Sequence, residues 1–465
     1  MKRIDVPRLL VTGLHSGVGK SSITLALLHE LRRRGVQVTA AITAPNLNVA
    51  ALYERVTGRA VMCLDPALLT RQQILEGLDR AATGSEMIVI DGGQGLLDSE
   101  SNSSACSDAE VAALTHTPIL FVVDVRGYGP TLAAAVRGVQ QSQRALEWAG
   151  VALNRLPSNF DGRANLLAAF DQYKAPLPLV SLPSLELVPP VFPQLVSQLS
   201  NTTLLDRQFL SAAADALVAG SDIEQLMARA AMAPALEFES SDSAADYIAT
   251  EHRVRLAVAR DSCFTLLFQD NSEILRRAGA ELCEFSPLTD SGLPRDVQGI
   301  YFPGGYVAEY AAELALNEGL RTNIAAFLAR GGVLYAEGSS LAYLGERYRA
   351  PRYARELPGV GIFPGVGVPQ LELEFPNQAQ RAEGALLEYG LLGEAGDLMK
   401  GVYSQEWRFE RDPAVARILR VVPANSNALL EGFAPSANIF GTYGFWHFGS
   451  APSLATNLIA ALARN

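Results

Sequence analysis

Residues 13–22 read Gly-Leu-His-Ser-Gly-Val-Gly-Lys-Ser-Ser and follow directly on the apolar run Leu9-Leu10-Val11-Thr12. The next stretch, Ile23 to Arg34, has the composition of a helix. Strand, glycine-rich turn and helix in this order make a phosphate-binding loop. Glycines let backbone N–H groups crowd a polyanion, Lys20 adds a positive charge, and Ser21 offers its hydroxyl to Mg²⁺. The helix N-terminus aims its partial positive charge at the same place. Glycine-rich loops also make plain turns. Gly17, Gly19, Lys20 and Ser21 in this setting nevertheless predict a bound nucleotide, held by Ser16, Gly17, Val18, Gly19, Lys20, Ser21 and Ser22.

Outward from the loop, apolar runs alternate with helical stretches through the first two hundred residues. Strands are expected at Leu9–Thr12, Val38–Ile42, Met87–Asp91, Ile119–Asp124 and Val151–Asn154, as in an open parallel sheet. Ligands of such sheets bind at the carboxyl ends of the strands. The loop, Asp91 and Asp124 all fall there. Asp91 ends the run Met87-Ile88-Val89-Ile90 and is expected to hold or orient the Mg²⁺ as a catalytic and metal-side group. A turn-capping Asp is the plainer alternative. Asp98 reads equally as a second metal-side group or a helix cap. Asn154 and Arg155 read as contacts to an adenine ring or a phosphate.

At 465 residues, 49% of them hydrophobic, the chain is expected to fold as two or three domains. No apolar run approaches the ~20 residues that cross a bilayer, and the N-terminus does not read as a secretory signal. A net charge of −11 argues against nucleic acid as the main partner. The four cysteines form no Cys-x-x-Cys pair and the five histidines do not cluster with them, so a cytoplasmic protein without structural zinc is expected.

The passage containing Pro176, Pro178, Pro183, Pro189, Pro190 and Pro193 interrupts the alternation, and helical stretches follow at Asp206–Ala219 and Asp222–Ala231. Glu237-Phe238-Glu239-Ser240-Ser241-Asp242-Ser243 then reads as a linker. A second α/β pattern has strands at Val254–Ala259, Glu281–Phe285, Gly299–Phe302 and Gly332–Ala336. The expected organisation is a nucleotide-binding domain over 1–200, a helical connection over 201–250, and a second α/β domain over 251–465.

Taken in order, the chain resembles the cobyrinic acid a,c-diamide synthases, enzymes that use ATP and glutamine to amidate carboxylates of corrinoids and related tetrapyrroles. The resemblance runs through Ser16-Gly17-Val18-Gly19-Lys20-Ser21-Ser22, Thr57-Gly58-Arg59, Leu64-Asp65, Asp91-Gly92 and Gly95-Leu96-Leu97-Asp98. It continues through Val122-Val123-Asp124-Val125-Arg126-Gly127 and Asn154-Arg155. The resemblance implies a dethiobiotin-synthetase-like first domain that binds ATP and Mg²⁺, and a class I glutamine-amidotransferase-like second domain. After the second strand the family carries Lys and then Gly-Pro-Asp-Tyr-Ile-Asp-Pro. This chain has Ile42 in the lysine slot, and Asn46 and Val49 in the aspartate slots.

The second domain departs further. Phe302-Pro303-Gly304-Gly305-Tyr306 matches the family segment whose paired glycines present N–H groups to an oxyanion. Relatives place the cysteine nucleophile immediately after the glutamate that ends the next strand. Here Glu337 is followed by Gly338, with Ser339 and Ser340 one and two positions late. In Thr442-Tyr443-Gly444-Phe445-Trp446-His447-Phe448, Phe445 takes the slot of the first family histidine and His447 keeps the second. Gln405 and Arg408 likewise stand where the family has histidines. Two functions follow as expectations: an ATP-dependent tetrapyrrole amide ligase without glutaminase activity, or a non-catalytic nucleotide- or tetrapyrrole-binding relative. A homodimer or an ammonia-supplying partner is compatible with the first.

Overall fold

The computed structural model describes residues 1–99, 106–126, 129–157, 163–184, 204–240, 254–351, 353, 355–370, 380–404, 406–411 and 414–464. Gly127, Gln405, Pro189, Pro190, Pro193 and linker residues 241–243 lie outside them. The chain forms two compact units, Met1–Ser241 and Asp242–Asn465.

The first unit opens with β1 (Lys2–Ile4), β2 (Arg8–Gly13), α1 (Lys20–Arg33), β3 (Val38–Ile42) and α2 (Leu47–Thr57). It continues with β4 (Met62–Cys63), α3 (Arg71–Ala82), β5 (Met87–Asp91), α4 (Asp108–Thr115) and β6 (Ile119–Asp124). Then come α5 (Thr131–Ser142), β7 (Trp148–Leu156), α6 (Arg163–Gln172) and β8 (Pro178–Pro183). Seven strands pair in the order β4-β3-β5-β2-β6-β7-β8, every pair parallel. Strands buried on both faces read as continuous apolar runs, and β2, β3 and β5 are buried throughout. From β2 the chain winds towards β3 and later, through β6, in the opposite direction. The carboxyl end of β2 is therefore the switch point where such sheets bind ligands.

Three readings change. Pro178 and Pro183, from the passage that interrupts the alternation, bound a strand, which is tolerated because β8 is the edge of the sheet. The helices expected to connect the domains, here α7 (Leu204–Ala219) and α8 (Ile223–Ala230), belong to the first unit. Arg33 pairs with Asp215 of α7, and Arg34 with Glu224 of α8. Glu237 and Phe238, read as linker, lie in β9 (Leu236–Phe238), which pairs antiparallel with β1.

In the second unit, β10 (Val254–Ala259), β11 (Phe264–Leu266), α9 (Gln269–Arg277), β12 (Ala280–Phe285), β13 (Gly299–Phe302), β14 (Gly304–Gly305) and β15 (Val333–Glu337) come first. Strands β12, β10, β13, β15 and Ile439–Thr442 pair in parallel, and five antiparallel strands continue the sheet to Gly444–Trp446. That last strand is five places from Ile439–Thr442 in pairing order, yet only Tyr443 separates them in the chain. Five flat spacings of about 4.8 Å are beyond the reach of one residue. The antiparallel half must curl back on itself, and this curl delivers Phe445 to the carboxyl end of β15.

Among the described residues no helix is long and apolar enough to cross a membrane. Arg8 is fully buried in β2 and donates to the carbonyls of Thr115 (2.8 Å), Pro234 (2.6 Å) and Val6 (3.3 Å). Burial pushes the guanidinium down to about 10. Arg8→Ala should lower unfolding free energy by about 3 kcal/mol, since hydrogen bonds to a charged group are lost and three carbonyls are orphaned. Urea denaturation of the variant beside the wild type measures this.

Candidate functional site

The loop between β2 and α1 is held by its own neighbours. Gly17 and Gly19 have φ of 83° and 96°, a region that glycine enters without strain. A Cβ on Gly19 would stand 2.0 Å from Asn154 Nδ2, which donates to the carbonyl of Val18 at 2.7 Å. Arg155 donates to Gly17 O at 3.1 Å and to Asp124 Oδ2 at 2.6 Å. Asn154 and Arg155 are thus engaged with the backbone of the loop itself. Hydrogen bonds from Arg126 and Arg155 hold the Asp124 carboxyl well below its ordinary range, against the upward push of burial. Val18 is buried, whereas Ser16, Gly17 and Ser22 are exposed.

Lys20 is 5% exposed and its ammonium donates to His15 O at 3.4 Å. Desolvation lowers its pKa; Asp108, Asp91 and Asp98, in that order, oppose the shift. Asp91 is buried and accepts three hydroxyls, from Ser21 (2.9 Å), Thr24 (3.0 Å) and Tyr53 (2.8 Å). Burial still wins, pushing the carboxyl up to about 6. Ser21 keeps its own lone pairs after donating its proton. This all-oxygen pair suits a hard cation such as Mg²⁺.

Sequence reasoning missed Tyr53, Thr24 and Asp108. Thr24 lies three residues after Ser21 on the same helix face, a spacing that was available as a signal. Tyr53 lies in an apolar helix stretch and reads as core. Asp108 reads only as an acidic helix start. It is buried, accepting from Thr12 Oγ1 and Thr43 Oγ1 at 2.6 Å each and from Gly93 N at 3.2 Å. Asp98 is instead exposed, in the turn after Gly95. The residues in the altered family slots have structural tasks: Ile42 and Val49 are buried, and Asn46 caps α2 by accepting from Val49 N at 3.2 Å.

In the second unit Gly338 follows β15 with φ of 60°, a sharp turn between strand and helix. A Cβ there would stand 2.3 Å from Phe445 Cζ, and one on Gly304 would stand 2.4 Å from Phe445 Cε1. The phenyl ring fills the space above both glycines. Ser339 Oγ accepts from Gly305 N at 2.9 Å and donates to Gly305 O at 2.7 Å, so that amide is already occupied. Ser340 Oγ donates to Glu337 O at 2.7 Å.

Glu337 is buried and accepts from Tyr301 (2.6 Å), Tyr335 (2.5 Å) and Trp446 N (3.0 Å); burial pushes it up to about 7. His447 is also buried. Its Nδ1 accepts from Gly449 N at 3.0 Å, which puts the proton on Nε2, 3.4 Å from Asp270 Oδ2. Arg408 is exposed.

Two variants test these contacts. Gly338→Cys should destabilise the protein by about 2 kcal/mol through overpacking against Phe445, and in a double-mutant cycle the same substitution should cost clearly less in a Phe445→Ala background, as read by denaturant unfolding. Asp91 titrates near 6 in the folded protein against an ordinary value of 3.8, so folding takes up a proton and stability from this group grows as pH falls. The stability of the wild type relative to Asp91→Asn should therefore rise by about 1.5 kcal/mol between pH 8 and pH 5, measured by denaturant unfolding.

Residues 9–189 match the CobQ/CobB/MinD/ParA nucleotide binding domain, and residues 255–452 the CobB/CobQ-like glutamine amidotransferase domain. The chain is 30% identical to the cobyrinate a,c-diamide synthase of Syntrophotalea carbinolica, covering 97% of this chain and 98% of that one. It is 27% identical to the enzyme of the same name from Dehalococcoides mccartyi, with 98% of each covered. Against that of a Synechococcus species it is 28% identical over 97% and 98% of the two chains.

Proposed function

This chain belongs to the cobyrinate a,c-diamide synthase family, and on that footing we propose that it forms an amide on a tetrapyrrole carboxylate using ATP, without hydrolysing glutamine. The substrate is of corrinoid or sirohaem type, and the work is done in the cytoplasm. A carboxylate is a poor electrophile, so one of its oxygens first bonds to the γ-phosphorus of ATP while the bond to ADP breaks. The acyl phosphate then accepts ammonia at carbon, phosphate leaves with its bridging oxygen, and nitrogen loses a proton.

In this reading the loop residues Ser16 to Ser22 bind the phosphates, Lys20 neutralises charge on the transferred group, and Asn154 and Arg155 brace the loop. Ser21 and Asp91 would hold Mg²⁺, which when bound supplies further positive charge beside the phosphates. The observation that carries the loss of glutaminase activity is the phenyl ring of Phe445, which occupies the space of a side chain on Gly338. The residue immediately after Glu337 is Gly338, which has no side chain, and the amide of Gly305 is taken by Ser339. Ammonia then comes from solution or from a partner protein.

A second reading has one observation in its favour. Ile42 and Val49 are core residues and Asn46 is a helix cap, so the slots that carry charge in the family serve packing here. This fits a carrier, regulator or assembly partner that binds a nucleotide or tetrapyrrole. ATP turnover with candidate tetrapyrroles decides between the two. Catalysis predicts amidation with ammonium and none with glutamine, and glutamine-dependent turnover overturns the reading of Phe445. Lys20→Ala should weaken ATP binding by about tenfold or more in either case, the worth of charged hydrogen bonds to phosphate.

A further inference from the structure

The inference rests on the reading of the Lys20 loop as a nucleotide site. A carboxylate has about four lone-pair directions, two on each oxygen. Asp91 Oδ2 accepts from Ser21 Oγ at 2.9 Å and from Tyr53 Oη at 2.8 Å. Oδ1 accepts from Thr24 Oγ1 at 3.0 Å. Oδ2 is thereby filled, and among the described residues one direction on Oδ1 has no hydrogen-bond partner. Ser21 and Thr24 belong to the helix that carries the loop, whereas Tyr53 comes from a separate element, α2, and is fully buried. Its hydroxyl also lies 3.3 Å from the carbonyl of Ser21, so α2 touches the backbone of one expected metal-side residue and the carboxylate of the other.

Mg²⁺ gives up its waters reluctantly and is usually held with several of them in place. Mn²⁺ shares its preference for oxygen ligands but is less demanding. A carboxylate with one free oxygen flanked by open space competes with those waters; a carboxylate whose Oδ2 is filled by two hydroxyls does so less. We propose that Tyr53 is a positioning residue that withholds Asp91 Oδ2 from the ion, so that Asp91 receives a water of the hydrated cation at Oδ1 and the site favours Mg²⁺ over Mn²⁺.

The test is ATP binding to the full chain by calorimetry, with Mg²⁺ and with Mn²⁺, in the wild type and in Tyr53→Phe, which keeps the buried ring. The affinity ratio should shift towards Mn²⁺ by about three- to tenfold, the effect of one hydrogen bond. Paramagnetic resonance of bound Mn²⁺ in oxygen-17 water gives a second readout that does not depend on how Tyr53→Phe folds. The number of waters on Mn²⁺ should be the same in the wild type and in Asp91→Asn. An unchanged ratio in Tyr53→Phe, or extra water on the ion in Asp91→Asn, overturns the role of Tyr53 and leaves the nucleotide site standing. A wild type that binds no ATP overturns the reading of the loop and this proposal with it.

Discussion

A carboxylate taken out of water has to be solvated by the protein, and the first unit is organised round one that is solvated by hydroxyls. Asp91 ends β5 and draws donors from α1 and α2. The start of the helix that carries the loop, the neighbouring helix and the central sheet are all fixed relative to one side chain. The solvation is incomplete: burial still raises the carboxyl to about 6. Asp108 repeats the design with Thr12, Thr43 and the amide of Gly93, tying the ends of β2, β3 and β5 together.

The second unit places a buried carboxylate at the same point of its sheet. Glu337 ends β15, and two tyrosine hydroxyls and the amide of Trp446 solvate it. That amide belongs to the residue after Phe445. The bond therefore fixes the strand that presents the phenyl ring, and the ring stands against Gly338. The turn at Gly338 keeps its positive φ because strand pairing and the Glu337 anchor impose it, with no side chain at 338 needed. The sharp strand-to-helix turn is thus held by backbone pairing and by Glu337.

Much of this was legible in the sequence, because it depends on local pattern. Apolar runs ending in Gly13, Asp91 and Asp124 give the parallel sheet, and the spacing of Gly17, Gly19, Lys20 and Ser21 gives the loop. What was not legible depends on residues brought together across the fold. Tyr53 looks like core from its neighbours, and only the packing of α2 against α1 turns its hydroxyl towards Asp91. Asp108 and Asp98 are equally acidic in sequence, yet tertiary packing buries the first and exposes the second. Pro178 and Pro183 mark a break in the alternation by composition, and the open edge of the sheet lets them bound a strand. The helices at 204–230 carry no mark of which unit they join; the ion pairs of Arg33 and Arg34 settle it.

The state of the polar groups separates the two halves more sharply than the presence or absence of any motif. In the first unit Lys20 is nearly buried, has among the described residues a single long hydrogen bond to a carbonyl, and lies in the field of three carboxylates. A charged group held with so little direct pairing is poised for a ligand that brings opposite charge. In the second unit most of the corresponding groups are occupied within the protein, although His447 Nε2 has no hydrogen-bond partner among the described residues and lies 3.4 Å from Asp270 Oδ2. The Gly305 amide has Ser339, the Glu337 carboxylate has two phenols and an amide, and His447 Nδ1 has the amide of Gly449. Donors that stabilise a developing charge have to be unpaired and already aimed at it, and the Gly305 amide is paired with Ser339. Here the ring of Phe445 stands against Gly338 and Gly304, and the Gly305 amide is bonded to Ser339, so both the space and that donor are taken within the fold.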